Sequence, residues 1–264
     1  MADSFTDAAF LTASYNRGLV LDELCNRTLN RQELQRSTGV RRVTLGRILQ
    51  DLESRGWIER SNGTFEATSL GKSVNDAFHD FLDAIDTARR FQEIACWLPD
   101  GLLELGIDRF HDAEVAIPTP SDPQAPMRLA VRQVREAETV RILTHAFAPG
   151  VIDALHERGL TGEQTVDAVI VGEVLDIFAA DPELGPKVHE LLSTDGARFY
   201  CPTEPVPHIL AIVDDRVGIG VDDEQGRPHA VLDVGDEIVH EWAVDLYERY
   251  RLGSKPVSAD MFTA

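Results

Sequence analysis

Lysine is nearly missing from this chain: Lys72, Lys187 and Lys255 are three of its 25 basic residues, and the rest are arginine. Cysteine is as scarce. Cys25, Cys96 and Cys201 are odd in number, far apart and free of any C-x-x-C spacing, which excludes a disulfide framework and a cysteine zinc site. They read as core or free thiols. There is no unbroken apolar run of about 18 residues, so a membrane span is not expected. Residues 1–10 lack the basic start and apolar middle of a signal peptide, which points to a cytoplasmic protein. Neither a G-x-S-x-G elbow nor a P-loop occurs. Gly218-Ile219-Gly220 has no helix after it, so a dinucleotide fingerprint fails for want of context. His156-Glu157, His189-Glu190 and His240-Glu241 lack a second histidine four residues on and default to solvated surface. No catalytic residue, metal ligand or cofactor is expected.

What is present is enough chain for packed cores: 264 residues, 43% of them hydrophobic, which suggests two domains. The formal charge is -20. An acidic, lysine-poor surface is the kind tolerated at high internal salt, where screening is short-ranged. The charge is also uneven. Residues 1–70 hold nine arginines and nine acids, and within 27–60 eight arginines (Arg27, Arg31, Arg36, Arg41, Arg42, Arg47, Arg55, Arg60) face four acids. All of the excess negative charge lies beyond residue 70.

The basic island coincides with a pattern of short elements. Phe10, Leu11, Leu19, Leu21 and Leu24 predict one helix over 7–24, ending near Asn26. Asn30 with Glu33 has capping-box spacing, and Leu34 faces inward. Ser37-Thr38-Gly39-Val40 makes a turn in which Gly39 suits a left-handed backbone. Leu45, Ile48, Leu49 and Leu52 then fall at i, i+3, i+4 and i+7, leaving Arg41, Arg42, Thr44, Arg47 and Gln50 for the opposite face, as in a recognition helix. Gly46 on that helix is read two ways: close approach to DNA, or tight packing against another helix. The runs 57–60 and 64–68 flank Ser61-Asn62-Gly63 as a hairpin, with Trp57 and Leu52 in the core.

From Gly71 to Trp97 the spacing of Val74, Phe78, Phe81, Ile85 and Ala88 predicts a helix that either dimerises or packs on its own domain. Pro118 to Pro126 holds four prolines in nine residues and reads as an irregular connection. Beyond it, helices are predicted over 127–137, 149–158 and 182–194, and strands over 139–144 and 165–172. Strands over 198–201, 208–213, 217–221 and 229–234 follow, and a closing helix over 236–251. The predicted fold class is α+β or α/β: an N-terminal winged helix-turn-helix at 1–70, a linker or dimerisation helix at 71–98, and a mixed α/β sheet domain at 99–264.

The stretch RQELQRSTGVRRVTLGRILQDLESRGWIER, with the hairpin behind it, resembles the archaeal winged helix-turn-helix transcription regulators. The second half is similar to the effector domain of an archaeal family named for its methanogenesis regulatory members and common in haloarchaea. DPQAP, LAIVDDRVGIGV and EWAVDLYERYR carry that likeness over roughly 105–257. The segment from His208 to Asp215 is similar to the H-x-K-x-x-x-x-D motif of phospholipase D-like enzymes, but Leu210 replaces the lysine that would stabilise transferred charge. That implies a catalytically dead relic. The resemblance implies a dimeric transcription regulator that binds double-stranded operator DNA. Ser37, Thr38, Arg41, Arg42, Thr44, Arg47, Arg60 and Asn62 are its candidate DNA contacts. A small-molecule effector would meet His145, Glu173, Tyr200 and His208. The alternatives are a protein-interaction adaptor that does not bind DNA, or a degenerate phosphodiesterase.

Overall fold

The computed structural model describes residues 2–222 and 228–263. Contacts divide the chain into one unit up to Ile85 and a second from Asp86 on.

The first unit contains α1 (Ala2–Thr12), α2 (Tyr15–Asn26), β1 (Leu29–Asn30), α3 (Arg31–Thr38), α4 (Arg42–Ser54), β2 (Ile58–Ser61) and β3 (Thr64–Ala67). It also holds most of α5 (Ser69–Phe91). The single first helix expected from spacing is two helices: Ser14 is extended (φ -159°, ψ 124°) between them. The break folds Phe10 and Leu11 back toward Val20, Leu21 and Leu24 in one core. Arg17 Nη1 donates to the freed Phe10 carbonyl at 2.7 Å. The Phe10 ring is approached by two guanidinium groups, with Arg17 and Arg55 Cζ at 4.4 and 4.2 Å from its centroid.

Local chemistry shapes the rest of this unit. Asn30 Oδ1 accepts from the backbone N–H of Gln32 and Glu33, and Glu33 Oε2 accepts from the Asn30 N–H at 2.7 Å, completing the capping box. Gly39 ends α3 in the left-handed region (φ 68°). Asn62 and Gly63 (φ 49° and 85°) have the two positive φ angles of a type I′ turn between β2 and β3. The strands form a sheet in the order β1-β3-β2. Helix α5 stops at Phe91 rather than running to Trp97: Phe91 and Ile94 both turn into a core, and i→i+3 bonds carry the chain from Phe91 through Ile94 to Trp97.

The second unit is a three-layer α/β domain. Its elements are β4 (Glu114–Ala116), α6 (Ala125–Glu136), β5 (Thr139–Thr144), α7 (Pro149–Leu160), β6 (Thr165–Ile170), α8 (Gly172–Ala180) and α9 (Leu184–Leu192). β7 (Ala197–Cys201), β8 (Ile209–Val213), β9 (Arg216–Asp222), β10 (Pro228–Val234), α10 (Glu237–Leu252) and β11 (Lys255–Pro256) follow. The eight strands run β11-β7-β6-β5-β8-β9-β10-β4. β5, β6 and β7 pair in parallel, and the other pairs are antiparallel. Alternation along the strands feeds two cores. Val140, Ile142, Val166, Ala168 and Phe199 pack with α7, α8 and α9, while Leu143, Val169, Ile212, Val217 and Ile219 pack with α10 and the segment from Phe91 to Ala113.

Three expectations here need correction. Helix α8 fills a stretch with no predicted element, because Val174, Leu175 and Phe178 bury one side of it. The helix predicted over 182–194 is the shorter α9. Pro126 belongs to the first turn of α6, where a proline gives up no intrahelical bond, so only Pro118, Pro120 and Pro123 are in the irregular connection.

Candidate functional site

The turn and helix at the front of the first unit sort the basic island into engaged and available arginines. Arg27 pairs with Glu23 at 2.5 Å, and Arg55 pairs with Asp7 at 2.9 Å and reaches the Asp51 carbonyl. Arg31 and Arg60 both lie over the Phe65 ring, at 5.8 and 5.6 Å from its centroid. Arg36, Arg41, Arg42 and Arg47 are exposed and, among the described residues, make no ion pair. They lie on the last turn of α3, the connecting turn and the outer face of α4. That face exists because Leu45, Ile48, Leu49 and Leu52 are all buried.

The other predicted contacts divide by role. Thr38 Oγ1 donates to the Leu34 carbonyl at 2.6 Å and accepts from Val40 N–H at 3.3 Å, so this hydroxyl holds the turn. Ser37 Oγ donates to the same carbonyl at 3.3 Å, and its side chain is exposed. Thr44, Asn62 and Arg60 are exposed, the last two in the hairpin. Helix α4 starts at an Arg41 that gives it no side-chain cap, leaving its first amide donors directed outward. Val43, 71% exposed on that first turn, is missed by the sequence reading. Its signal is present there, since an apolar residue outside the i, i+3, i+4, i+7 stripe must face solvent or a partner. A Cβ on Gly46 would meet nothing within 4 Å, which overturns the tight-packing reading of that glycine.

In the second unit His145 and His208 are near enough to interact through their charges, while Glu173 and Tyr200 are carried by α8 and β7. His145 follows β5, and its Nε2 lies 2.9 Å from Asp222 Oδ2 at the end of β9. That hydrogen bond raises the His145 pKa against the effect of partial burial. His208, just ahead of β8, is pushed down, first by burial and further by the charge of nearby His145 and Arg249. Glu173 is exposed at the start of α8. Tyr200 sits elsewhere in β7, with Arg251 Cζ 5.8 Å from its ring centroid. Asp222, which sequence reasoning passes over, is the residue that binds His145. Leu210, at the position of the absent lysine, is 1% exposed in the core, and Asp215 is an exposed turn residue. Nor are the other histidines simply solvated: His156 contacts Glu190 at 2.7 Å, and His189 Nδ1 lies 3.0 Å from the Ala259 carbonyl. Burial, with Asp22 and Asp76 nearby, raises the Cys25 pKa to about 11 and keeps its thiol protonated. Among the described residues no histidine, cysteine and carboxylate group is arranged to hold a metal ion, and no helix is long and apolar enough to cross a membrane.

A helix-turn-helix with a hairpin wing makes up the first unit, and a mixed sheet between helical layers makes up the second. Residues 5–90 match the HVO_A0261 N-terminal domain, and residues 123–252 match the middle domain of methanogenesis regulatory protein FilR1. Among solved structures it is similar to TrmBL2, an archaeal chromatin protein, at 13% identity and a TM-score of 0.45, over 95% of this chain and 98% of that one. It is also similar to Nuc from Salmonella typhimurium, a phospholipase D family member, at 15% identity and a TM-score of 0.44, over 55% of this chain and 99% of that one. A comparison with curated proteins found no match.

Proposed function

We propose that this chain is a sequence-specific transcription regulator that binds double-stranded promoter DNA in the cytoplasm as a homodimer, with its second unit sensing a small molecule. The observation that carries the reading is the set of exposed arginines Arg36, Arg41, Arg42 and Arg47 on the last turn of α3, the connecting turn and the outer face of α4, without ion pairs among the described residues. In a chain of charge -20, cations left without acidic partners on one face are matched to a polyanion. Arg41, Arg42, Thr44 and Arg47 would enter the major groove with Val43 against a thymine methyl, while Ser37, Arg60 and Asn62 touch the backbone or minor groove. Thr38 would serve by holding the turn. Phe81, Leu82 and Ile85 on α5 are 51%, 39% and 45% exposed, which supports pairing of two copies through that helix. No catalytic step is assigned, since a leucine stands where phosphodiester chemistry needs a cation.

The test is immunoprecipitation of the tagged protein from cells at native salt, then titration of the enriched DNA with purified wild type and the Arg41→Ala, Arg47→Ala double variant. Discrete promoter peaks sharing a two-fold motif, with binding lost in a folded double variant, are expected. Wild-type affinity in that variant would overturn the recognition-helix assignment, and absence of peaks would favour a protein-interaction adaptor.

A further inference from the structure

Strand β9 has two faces of different kinds. Val217, Ile219 and Val221 fill the core beneath α10, whereas Gly218 and Gly220 point to the other side of the sheet, toward α6 and α7. The two glycines differ in how tightly they are enclosed. A Cβ at Gly218 would come within 2.7 Å of Gln133 Oε1, and one at Gly220 within 2.8 Å of Ile209 Cβ on the neighbouring strand. The glycine face forms part of a cavity of about 140 Å³ between the sheet and the two helices. Its walls are apolar, with Met127, Val134, Ile152, Phe178, Phe199 and Ile209 among them, and the half-buried loop 146–148 edges it.

Two polar groups face this cavity without partners among the described residues. Gln133 is 8% exposed and its Nε2 donates to none of them, and Asp222 Oδ1 is buried and accepts from none of them, although Oδ2 is held by His145. Such a group is costly to keep buried unless something satisfies it. The two lie toward different ends. Gln133 covers Gly218, and Asp222 is four residues further along the strand, about 13 Å at 3.3 Å per residue. A cavity of about 150 Å³ accommodates a benzene-sized molecule.

We propose that this cavity binds a small uncharged or cationic amphiphile, an aromatic or short hydrocarbon body of about benzene size bearing a hydroxyl or amino group that donates to Asp222 Oδ1. An acceptor at the far end of a longer ligand would meet Gln133 Nε2. An anionic head binds less well than a hydroxyl of the same size, because a carboxylate has no hydrogen to donate to Asp222 Oδ1. The proposal rests on the reading of the second unit as the sensing part of the regulator, and it supplies that reading with a ligand class.

Benzyl alcohol, toluene and benzoate share one body and differ in the head group. Titrated calorimetrically into the full chain at multimolar KCl, benzyl alcohol is expected to bind at least about tenfold more tightly than benzoate, with toluene between them. Ala130→Phe, on the partly exposed cavity side of α6, should abolish binding while its melting transition confirms the fold. Gln133→Leu should leave benzyl alcohol binding largely intact. Equal binding by Ala130→Phe and wild type, no binding of benzyl alcohol, or benzoate binding as tightly would each overturn the proposal. Repeating the titration with operator DNA isolates the sensing role: benzyl alcohol that binds the cavity without changing DNA affinity upholds the site and removes the sensor reading.

Discussion

His145 Nε2 and Asp222 Oδ2, 77 residues apart in sequence, lie 2.9 Å from each other and tie the end of β5 to the end of β9. The contact has a defined pH signature. The hydrogen bond to Asp222 raises the folded-state pKa of His145 above its ordinary value of about 6.5. The stabilisation is therefore complete below that value and is lost as pH rises through the raised one. His208 works in the opposite sense. Its folded pKa is depressed by burial, so the unfolded chain binds more protons and stability falls as pH drops below about 6.5. Melting temperature against pH should therefore decline on both sides of neutrality. Asp222→Asn should flatten the alkaline limb and His208→Ala the acid one. An alkaline limb unchanged in Asp222→Asn would show that the pair is not protonated in the fold.

The capping box at the start of α3 makes a prediction about the stability of the DNA-binding unit. Asn30→Ala removes the acceptor for two amide donors and should destabilise this unit by about 1 kcal/mol, whereas Asn30→Asp should be nearly silent. Urea unfolding followed by fluorescence in a Trp97→Phe, Trp242→Phe background, which leaves Trp57 as the reporter, is a suitable measurement, and equal midpoints for Ala and Asp would contradict the assignment.

Gly46 separates stability from function. With a helical backbone and nothing within 4 Å of where an added methyl would sit, Gly46→Ala should stabilise the first unit by about 0.5–1 kcal/mol through helix propensity alone. If the glycine lets DNA approach α4, the same variant should bind operator more weakly. A variant that is more stable and binds fully would leave the glycine without a role in recognition.

Salt dependence counts the contacts. Each phosphate neutralised contributes about -0.9 to the slope of log affinity against log salt concentration, so Arg42→Ala should reduce the magnitude of the slope by about 1 if it contacts a phosphate. A change in sequence preference at constant slope would instead place Arg42 on a base edge.

The winged-helix unit is legible from sequence because its signals are local. A capping box needs residues three apart, Gly39 and the Asn62-Gly63 turn need only their own φ angles, and the buried stripe of α4 repeats every turn. The break at Ser14 is not legible, because Phe10 and Leu21 fall on one side of a continuous helix as readily as in two packed ones. Helix α8 is hidden among apolar residues that suit a buried strand equally well. The pairing of His145 with Asp222, and what Gly218 and Gly220 meet on their shared face, depend on which strands and helices become neighbours. Such long-range register is not written in any window of the chain.

The two glycines of β9 differ in how they can evolve. An added methyl at residue 218 meets the movable end of Gln133, while one at residue 220 meets the branched carbon of Ile209, fixed in register on the adjacent strand. Descendants of this chain can therefore vary residue 218 and re-aim the amide in one codon step, with the sheet unchanged. Diversification of what the domain recognises should accumulate at residue 218, while residue 220 stays constant as a record of the ancestral fold.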